Sequence, residues 1–246
     1  MALAGTSAGV LRYGLHPADL WHASEDLTVS AGLGINQVSV TGFKNALSDD
    51  IFRALGIEKS GSILAYDTTA ARRRLEQLSW VQAAQVTRAL PDGLTVTIRE
   101  RVPFAVWQYH QLMFLIDADG RTLEPTSRSE HMDLPLLVGD GADESGRQFM
   151  TELQRHPVIL ARLQAAVRVA GRRWDLELND APRLLLPEEG MAAALTYVEA
   201  MQRDERLFDR RVAAVDLRVP DRLAFRPATE APKSAARGPR QHSGGV

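Results

Sequence analysis

Two acidic clusters are the first places in this sequence where residue types and spacing could do chemistry. Asp117, Asp119 and Glu124 lie around a glycine, as the carboxylates of a calcium loop would, but the ligand spacing of such a loop is absent. The run D-A-D-G is typical of a hairpin turn, which we predict here. The second cluster runs from Asp140 to Glu144 among glycines, and we interpret it as a solvated loop that leads into a helix.

Histidine and serine are the other candidate catalytic residue types. The six histidines are scattered along the chain, at His16, His22, His110, His131, His156 and His242. Their spacing matches no metal-binding motif, and the sequence has neither a G-x-S-x-G elbow nor a Walker loop. Cysteine is absent, which excludes thiolate catalysis, disulfides and cysteine-rich zinc sites. The sequence therefore predicts a protein that is not an enzyme and that has no cofactor or metal.

Composition limits the remaining classes of function. The chain has 246 residues, 45% hydrophobic and 24% charged, which fits one large or two small globular domains. A formal net charge of -2 gives no field that would attract nucleic acid, and Arg72 to Arg74 are expected to face water on a helix. No apolar run reaches the roughly 20 residues of a transmembrane helix.

The elements that position these residues begin with a small α+β unit. Alternation predicts a strand over 35–41, and Ser48 is a predicted N-cap of a helix that ends before Gly56. Asp67 is predicted to cap a second helix, and strands over 80–90 and 94–100 form a hairpin around Pro91-Asp92-Gly93. The order strand, helix, helix, strand, strand predicts a small sheet with two helices on one face.

A second unit follows, with more strands than helices. Strands are predicted over 104–108, 112–116, 134–138, 167–169, 174–178, 183–186 and twice within 212–226. Helices are predicted over 144–155, from Pro157 through Leu163, and from Glu188 and Glu189 onward, since acidic residues favour a first turn. The composition of 229–246 predicts a disordered tail.

Several motifs now occur in one consistent order. The first unit contains V-S-V-T-G, D-x-x-x-A-R-x-x-L-E and P-D-G-L-x-V-x-I-x-E-R-x-P-F-A-x-W. The second contains G-R-R-W, L-P-E-E and A-x-V-D-L-R. Over about 31–227 the chain therefore resembles the FtsQ/DivIB family of bacterial cell division proteins.

The resemblance implies a fold and a domain order. It implies an α+β protein with an N-terminal POTRA domain (β-α-α-β-β) over 35–102, then a β domain over 103–228. That second domain would hold a mixed or antiparallel, curved β-sheet with flanking helices. Residues 1–34 would be the remnant of a membrane anchor or a linker from one. Because the family begins with a transmembrane helix, Met1 to Leu11 would be the end of that helix, and we expect either an upstream start or a truncated anchor.

The resemblance also implies a function. The family members are non-enzymatic scaffolds of the divisome that bind FtsB and FtsL through their extracytoplasmic domain and help to control septal cell-wall synthesis. The chain would be a single-pass protein of the inner membrane, with its folded part in the periplasm at the division septum. The alternative is a POTRA-type protein that binds extended polypeptide during outer-membrane assembly or secretion.

The resemblance assigns site residues as well. The FtsB-accepting positions would be Arg173, Val219, Asp221, Arg222, Leu223 and Phe225, with Phe225 as an aromatic anchor. Better-known members carry Tyr and Ser-Gly where this chain has Val219 and Asp221-Arg222. Arg172 could serve in place of Arg173, or Arg173 could be a rim arginine without a partner. Val86 and Arg88 match a face used for recruitment by other division proteins, although Val86 could equally be core.

Overall fold

The computed structural model describes residues 33–57, 62–219, 222 and 224–227. The chain divides into two compact units between Arg101 and Val102, and each is described by itself. The predicted anchor remnant and C-terminal tail lie almost wholly outside the described residues, as do Asp221 and Leu223.

The first unit is a three-stranded sheet with two helices. Its elements are β1 (Gln37–Thr41), α1 (Ser48–Leu55), α2 (Thr68–Leu75), β2 (Val81–Ala89) and β3 (Gly93–Glu100). The strand order is β1-β3-β2, with β1 parallel and β2 antiparallel to β3. Inward residues of the helices and strands form one core, including Ile51, Leu55, Ala71, Leu75, Val96 and Ile98. The predicted element order is therefore confirmed.

Caps and side-chain bonds to the backbone fix the two helices. The Asp67 carboxylate accepts the N–H groups of Thr69 and Ala70, both at 2.9 Å, so this predicted N-cap is confirmed. The Ser48 prediction is wrong by one position: Ser48 is the first helical residue, and Leu47 occupies the N-cap with no side-chain bond. A hydroxyl inside the first turn no longer reaches the free N–H groups as a cap does.

Glu100, the last residue of β3, holds the loop that precedes α1. Its carboxylate accepts the backbone N–H groups of Lys44 at 2.8 Å, Asn45 at 2.8 Å and Ala46 at 2.7 Å. Partial burial opposes ionisation, but these donors outweigh it and hold the pKa of the Glu100 carboxyl below its ordinary value. The loop is thus fastened to the central strand by an ionised side chain.

The second unit is a nine-stranded mixed sheet with helices. Its strands are β4 (Pro103–Tyr109), β5 (Leu112–Asp117), β6 (Thr122–Pro125), β7 (Leu136–Val138), β8 (Leu163–Val169), β9 (Arg173–Leu178), β10 (Arg183–Leu185), β11 (Val212–Asp216) and β12 (Ala224–Pro227). Its helices are α3 (Ala142–Leu153), α4 (Pro157–Leu160) and α5 (Met191–Glu205), with short 3-10 turns at Arg128–Glu130 and Leu207–Asp209. The strand order is β12-β11-β10-β9-β8-β7-β4-β5-β6.

Two helical connections join parallel neighbours in this sheet. Helices α3 and α4 connect β7 to β8, and α5 connects β10 to β11. Their apolar sides pack on the sheet in one core that includes Phe149, Leu176, Leu195 and Val215. The α+β prediction, with a mixed sheet and flanking helices in the second unit, is confirmed.

Three element predictions in the second unit need correction. Leu163 is not helical: α4 ends at Leu160, and Leu163 pairs with Leu178 as the first residue of β8. Glu188 and Glu189 precede α5, which begins after Gly190 at a φ of 75°. A residue in that left-handed conformation interrupts the helix, so the acidic pair lies in the loop. Strand β6 was not predicted at all.

Candidate functional site

Strand β12 is one edge of the nine-stranded sheet. It pairs antiparallel with β11, with Val215 opposite Phe225 and Asp216 opposite Ala224. No other strand of the described residues lies on its far side. The edge therefore leaves backbone groups available for another strand.

Long-range hydrogen bonds show which backbone groups of β12 lie at this edge. The N–H of Leu217 donates to the carbonyl of Leu185 on β10 at 2.9 Å, so Leu217 and, two residues earlier, Val215 turn their backbone toward β10. Ala214 and Asp216 then turn theirs toward β12. Because Phe225 is opposite Val215, its N–H and C=O point away from β11. Phe225 thus presents both backbone groups at the free edge.

The Phe225 side chain accompanies this free backbone. Its opposite residue, Val215, packs in the core beneath the helices, so Phe225 projects on that same side of the sheet. Phe225 is 44% exposed although it is a large aromatic residue. Every residue of β12 is exposed. The edge therefore combines an unpaired backbone with an accessible aromatic ring.

The opposite side of the sheet has a shallow depression beside this edge. It has a volume of about 230 Å³, and its lining residues are Leu185, Ala214, Asp216, Ala224, Phe225, Arg226 and Pro227. The small side chains of Ala214 on β11 and Ala224 on β12 leave this space among larger neighbours.

The segment leading into β12 carries two more of the predicted positions. Val219 is 56% exposed and lies beyond β11, which ends at Asp216. The Val219 carbonyl accepts the N–H of Arg222 at 3.2 Å, which closes a turn. The expectation that Val219 belongs to a strand is therefore wrong. Val219 and Arg222 nevertheless lie within a few residues of the free edge.

Arg173 lies away from this edge, on β9, three strands from β12. Its Nε is 3.9 Å from Oδ1 of Asp175 and has no hydrogen-bond partner. Nη2 of Arg183 donates to Oδ2 of Asp175 at 3.3 Å. Arg172, the alternative, instead lies 3.5 Å from Glu188 with both side chains more than half exposed. Arg173 is thus the arginine that belongs to a partly buried charge cluster.

The carboxyl at the centre of this cluster is buried. Burial outweighs the attraction of Arg183 and Arg173 and raises the pKa of Asp175 above its ordinary value. Asp175 is opposite Leu185, which is opposite Asp216, so the cluster and the depression lie on the same side of the sheet. Charged groups therefore extend from β9 toward the edge strand.

Arg218 is a site residue that sequence reasoning missed. Its guanidinium binds both carboxylate oxygens of Asp216, and its backbone N–H donates to Oδ1 at 3.1 Å. These hydrogen bonds hold the pKa of Asp216 below its ordinary value. The D-x-R spacing at a strand end was the available signal, because an aspartate side chain commonly bonds the N–H two residues later.

The other predicted face lies in the first unit. The Val86 side chain is buried in the core, which was the alternative left open by the sequence. Arg88 is exposed, and its Nη2 donates to the carbonyl of Tyr66 at 2.7 Å. Only Arg88 of this pair therefore offers an accessible side chain.

The first acidic cluster forms a turn, whereas the second leads into α3 and places Asp143 and Glu144 in the first turn of that helix. Oδ1 of the buried Asp117 accepts the N–H groups of Asp119 and Arg121, both at 2.9 Å, as expected for a hairpin turn. Among the residues that the structure describes, no group of three or more His, Cys, Asp and Glu is placed to hold a metal ion. Within the same ranges, no helix has the length and apolar content needed to cross a bilayer.

Two family models match the chain in the order of its units. The FtsQ-type POTRA domain matches residues 33–101. The C-terminal domain of cell division protein FtsQ/DivIB matches residues 105–218, so β12 lies just beyond that match.

Individual proteins extend the comparison. Cell division protein FtsQ of Rhizobium meliloti is 37% identical over 84% of this chain and 67% of its own length. That of Agrobacterium fabrum is 36% identical over 82% of this chain and 64% of its own length, so the chain spans about two thirds of these relatives or slightly less. The solved extracytoplasmic domain of DivIB from Geobacillus stearothermophilus overlaps 44% of this chain and 96% of its own, with 21% identity and a TM-score of 0.30. From the family models and the two FtsQ relatives, the chain belongs to the FtsQ/DivIB family of cell division proteins.

Proposed function

We propose that this protein is a non-enzymatic scaffold of the divisome that accepts an extended segment of a partner at the free edge of β12. The partner is FtsB, within a complex that also contains FtsL, and the assembly helps to control septal cell-wall synthesis. The observation that carries the proposal is Phe225, whose N–H and C=O both point away from β11 beside an exposed ring. An added strand would bond to these groups.

The groups around the edge would make it selective for particular side chains of the partner. A residue paired with Phe225 projects toward the ring, and its neighbours project on the opposite side, where the depression lies. Backbone bonds would supply affinity that depends little on sequence, while the ring and the depression select apolar side chains. Val219 and Arg222 lie on the approach to this edge, and we propose that Asp221 and Leu223 also take part in binding the partner.

The charge cluster on β9 to β11 supports a second contact. Arg173 has an Nε without a hydrogen-bond partner, although its side chain is only 24% exposed. That Nε is itself inaccessible, so a carboxylate from the partner would bind the part of the guanidinium that remains accessible, and such charge-assisted bonds are stronger than neutral ones. We therefore propose that the partner segment carries an acidic residue outside the part that pairs with β12.

Family membership supports the cellular setting. We propose that residues 35–102 form the POTRA domain, that residues 103–228 form the β domain, and that both lie in the periplasm at the division septum. An anchor in the inner membrane would hold them there. Protease accessibility in spheroplasts and septal position of a fluorescent fusion of the complete gene product test this setting.

Calorimetric titration of the full chain with the C-terminal periplasmic peptide of FtsB from the same genome tests the mechanism. Phe225→Ala removes the ring, and Phe225→Pro removes the ring together with the edge N–H. Because that N–H is not used by β11, the proline variant leaves the β11–β12 ladder in place. Arg155→Ala, an exposed change in the connection between β7 and β8, is the control.

We expect the alanine variant to bind roughly tenfold more weakly and the proline variant to lose binding. Arg155→Ala should bind like the wild type, and circular dichroism should show all three variants folded. Equal binding by the alanine and proline variants would contradict strand addition. Absence of binding by the folded wild type would remove β12 as the FtsB site.

A further inference from the structure

We propose that the arginine cluster of β9 and β10 binds an acidic partner segment more tightly when the carboxyl of Asp175 carries a proton. This inference rests on the function proposed for β12 and adds a regulation of its second contact. A proton from the solvent is then a ligand that the protein takes up together with the partner.

Asp175 has few compensating contacts for a buried carboxyl. Its side chain is 9% exposed, and Oδ2 accepts a hydrogen bond from Nη2 of Arg183 at 3.3 Å. Oδ1 is inaccessible and has no hydrogen-bond partner. Nε of Arg173 lies 3.9 Å from it, which is beyond hydrogen-bonding distance. The ionised form of this carboxyl is therefore poorly satisfied where it lies.

The charges that face Asp175 do not reverse this effect. Burial raises the pKa of Asp175, and the carboxylate of Asp216 acts in the same direction. The guanidinium groups that oppose the shift are those of Arg183, Arg173 and Arg218. Asp175 therefore keeps its proton to a higher pH than an ordinary aspartate does.

The strands on either side of β9 contribute little further charge on this side of the sheet. On β8, the residue opposite Asp175 is Val167, which is apolar. Toward β11, Asp216 and Arg218 form a closed ion pair, because the guanidinium binds both carboxylate oxygens. On β9 itself, Glu177 follows two residues after Asp175 and projects on the same side.

The nearest charges therefore balance while Asp175 is ionised. Arg173 and Arg183 supply two positive charges, against the two carboxylates of Asp175 and Glu177. Protonation of Asp175 leaves two positive charges against one negative charge. Arg183 is 42% exposed and Arg173 is 24% exposed, so this excess is accessible from solvent. An acidic segment is attracted more strongly to the cluster in that state.

A carboxylate of the partner and the carboxylate of Asp175 compete for the same two guanidinium groups. A second negative charge beside Asp175 disfavours its ionised form, so binding of the partner raises the pKa of Asp175. Linkage is reciprocal, so protonation of Asp175 strengthens binding by the same factor. A tenfold gain in affinity corresponds to a rise of about 1 in this pKa.

Calorimetric titration of the full chain with the FtsB peptide at neutral and mildly acidic pH tests the coupling. Asp175→Asn keeps the shape without the charge and should bind roughly tenfold more tightly than the wild type at neutral pH. The two affinities should converge as pH falls through the pKa of Asp175. Their ratio isolates Asp175, because the carboxylates of the peptide titrate against both proteins.

Glu177→Gln is the matched control, since it makes the same change of charge on the same strand. Its side chain is 45% exposed, so the gain in affinity should be smaller and should not change with pH. Titrations in buffers of different ionisation enthalpy add a second readout. At mildly acidic pH the wild type should take up a proton on binding, and Asp175→Asn should not.

Two results would overturn the proposal. One is a folded Asp175→Asn variant that binds no more tightly than the wild type at neutral pH, because Asp175 would then position the arginines instead of competing for them. The other is a gain that persists unchanged in acid. Phe225→Pro separates this site from β12: binding that survives in that variant and still depends on Asp175 would refute the β12 site and support the coupling.

Sulfate provides a test that does not need the FtsB peptide. We expect sulfate to raise the pKa of Asp175, followed by NMR of its carboxyl carbon, relative to chloride at equal ionic strength. Arg173→Gln should reduce that rise. If the peptide binds neither the wild type nor Asp175→Asn, the function proposed for β12 fails and this measurement decides the coupling alone. A pKa that sulfate leaves unchanged would overturn it.

Discussion

Nδ1 of His156 lies 3.2 Å from Oε2 of Glu199, and this contact joins the start of α4 to the middle of α5. The imidazole is buried, and its Nε2 is 3.8 Å from Oε1 of Glu152 on α3. Oε1 of Glu199 also accepts the N–H of Val158 at 3.3 Å. One histidine therefore connects all three helices of the second unit.

We predict that His156→Gln and Glu199→Gln each lower the free energy of unfolding by about 1–3 kcal/mol, because each leaves a poorly satisfied polar group in a buried site. The double variant should lose less than the sum, which a double-mutant cycle from urea unfolding measures. Arg155→Ala, next to His156 but with its side chain 71% exposed, should change stability by less than about 0.5 kcal/mol. A larger loss from Arg155→Ala would contradict this assignment.

The lowered pKa of Glu100 predicts that the stability of the first unit depends on pH. Its pKa is lowered in the folded state, so its stabilising contribution is present above the unfolded pKa and is lost as pH falls through the folded pKa. Glu100→Gln should cost about 1–2 kcal/mol at neutral pH and nothing in acid. Chemical unfolding across this range checks it, with the exposed Asp49→Asn as the control. A loss of unfolding free energy that is independent of pH would contradict the role of the ionised Glu100 carboxylate in holding the loop.

The raised pKa of Asp175 predicts the opposite pH dependence of stability for the second unit. Its pKa is raised by burial, so its charged form destabilises the fold above the unfolded pKa, and stability recovers as pH falls through the folded pKa. Asp175→Asn keeps the shape without the charge and should raise the unfolding free energy at neutral pH by about 0.5–1 kcal/mol. Thermal unfolding at neutral and mildly acidic pH measures this. A destabilised variant would mean that the arginine contacts outweigh burial.

Substitutions at two glycines of the second unit would distinguish the cost of steric overlap from the cost of backbone strain. Both have positive φ, 105° at Gly139 and 65° at Gly171. A Cβ at Gly139 would lie 2.6 Å from the carbonyl oxygen of Arg168, whereas one at Gly171 meets nothing within 4 Å. We expect Gly171→Ala to cost about 1 kcal/mol and Gly139→Ala at least about 3 kcal/mol. Similar losses in urea unfolding would contradict the overlap.

Arg173 and Arg172 provide a matched test of the charge cluster. Arg173→Gln should weaken FtsB-peptide binding roughly tenfold at low salt and less at high salt, because the accessible part of a partly buried guanidinium attracts a carboxylate and salt screens that attraction. Arg172→Gln, beside it but paired with Glu188 in solvent, should leave calorimetric affinity unchanged. A larger loss of affinity from Arg172→Gln than from Arg173→Gln would show that Arg172 is the arginine that binds the partner.

Local patterns predicted much of the first unit. The alternation of Leu94, Val96 and Ile98, the Pro91-Asp92-Gly93 turn and the Asp67 cap depend on residues near one another in the chain, and all appear in the structure. Ser48 shows the limit of such patterns. Serine is found both at the N-cap and at the first helical position, so the sequence alone does not fix the first residue of the helix to better than one position.

Long-range pairing explains what sequence reasoning did not reach. Nothing in the order of strands predicts that β4 lies beside β7, or that β12 ends the sheet, because these pairings join strands on grounds that no local pattern records. Which way Phe225 turns its backbone follows from the pairing of β11 with β10, which the hydrogen bond from Leu217 to Leu185 reveals and which no local pattern around Phe225 predicts. The family resemblance named the region, while the direction of its backbone required coordinates.

The chain leaves the first unit through β3, which has β1 on one side and β2 on the other, with Glu100 fastening its last residue. The N–H of Arg101 still donates to the carbonyl of Trp80 at 2.8 Å, one residue before the second unit begins. A mechanical pull transmitted along the chain would therefore load two ladders in shear instead of peeling an outer strand. For a protein of a constricting septum, that gives the first unit a route to bear tension while remaining folded.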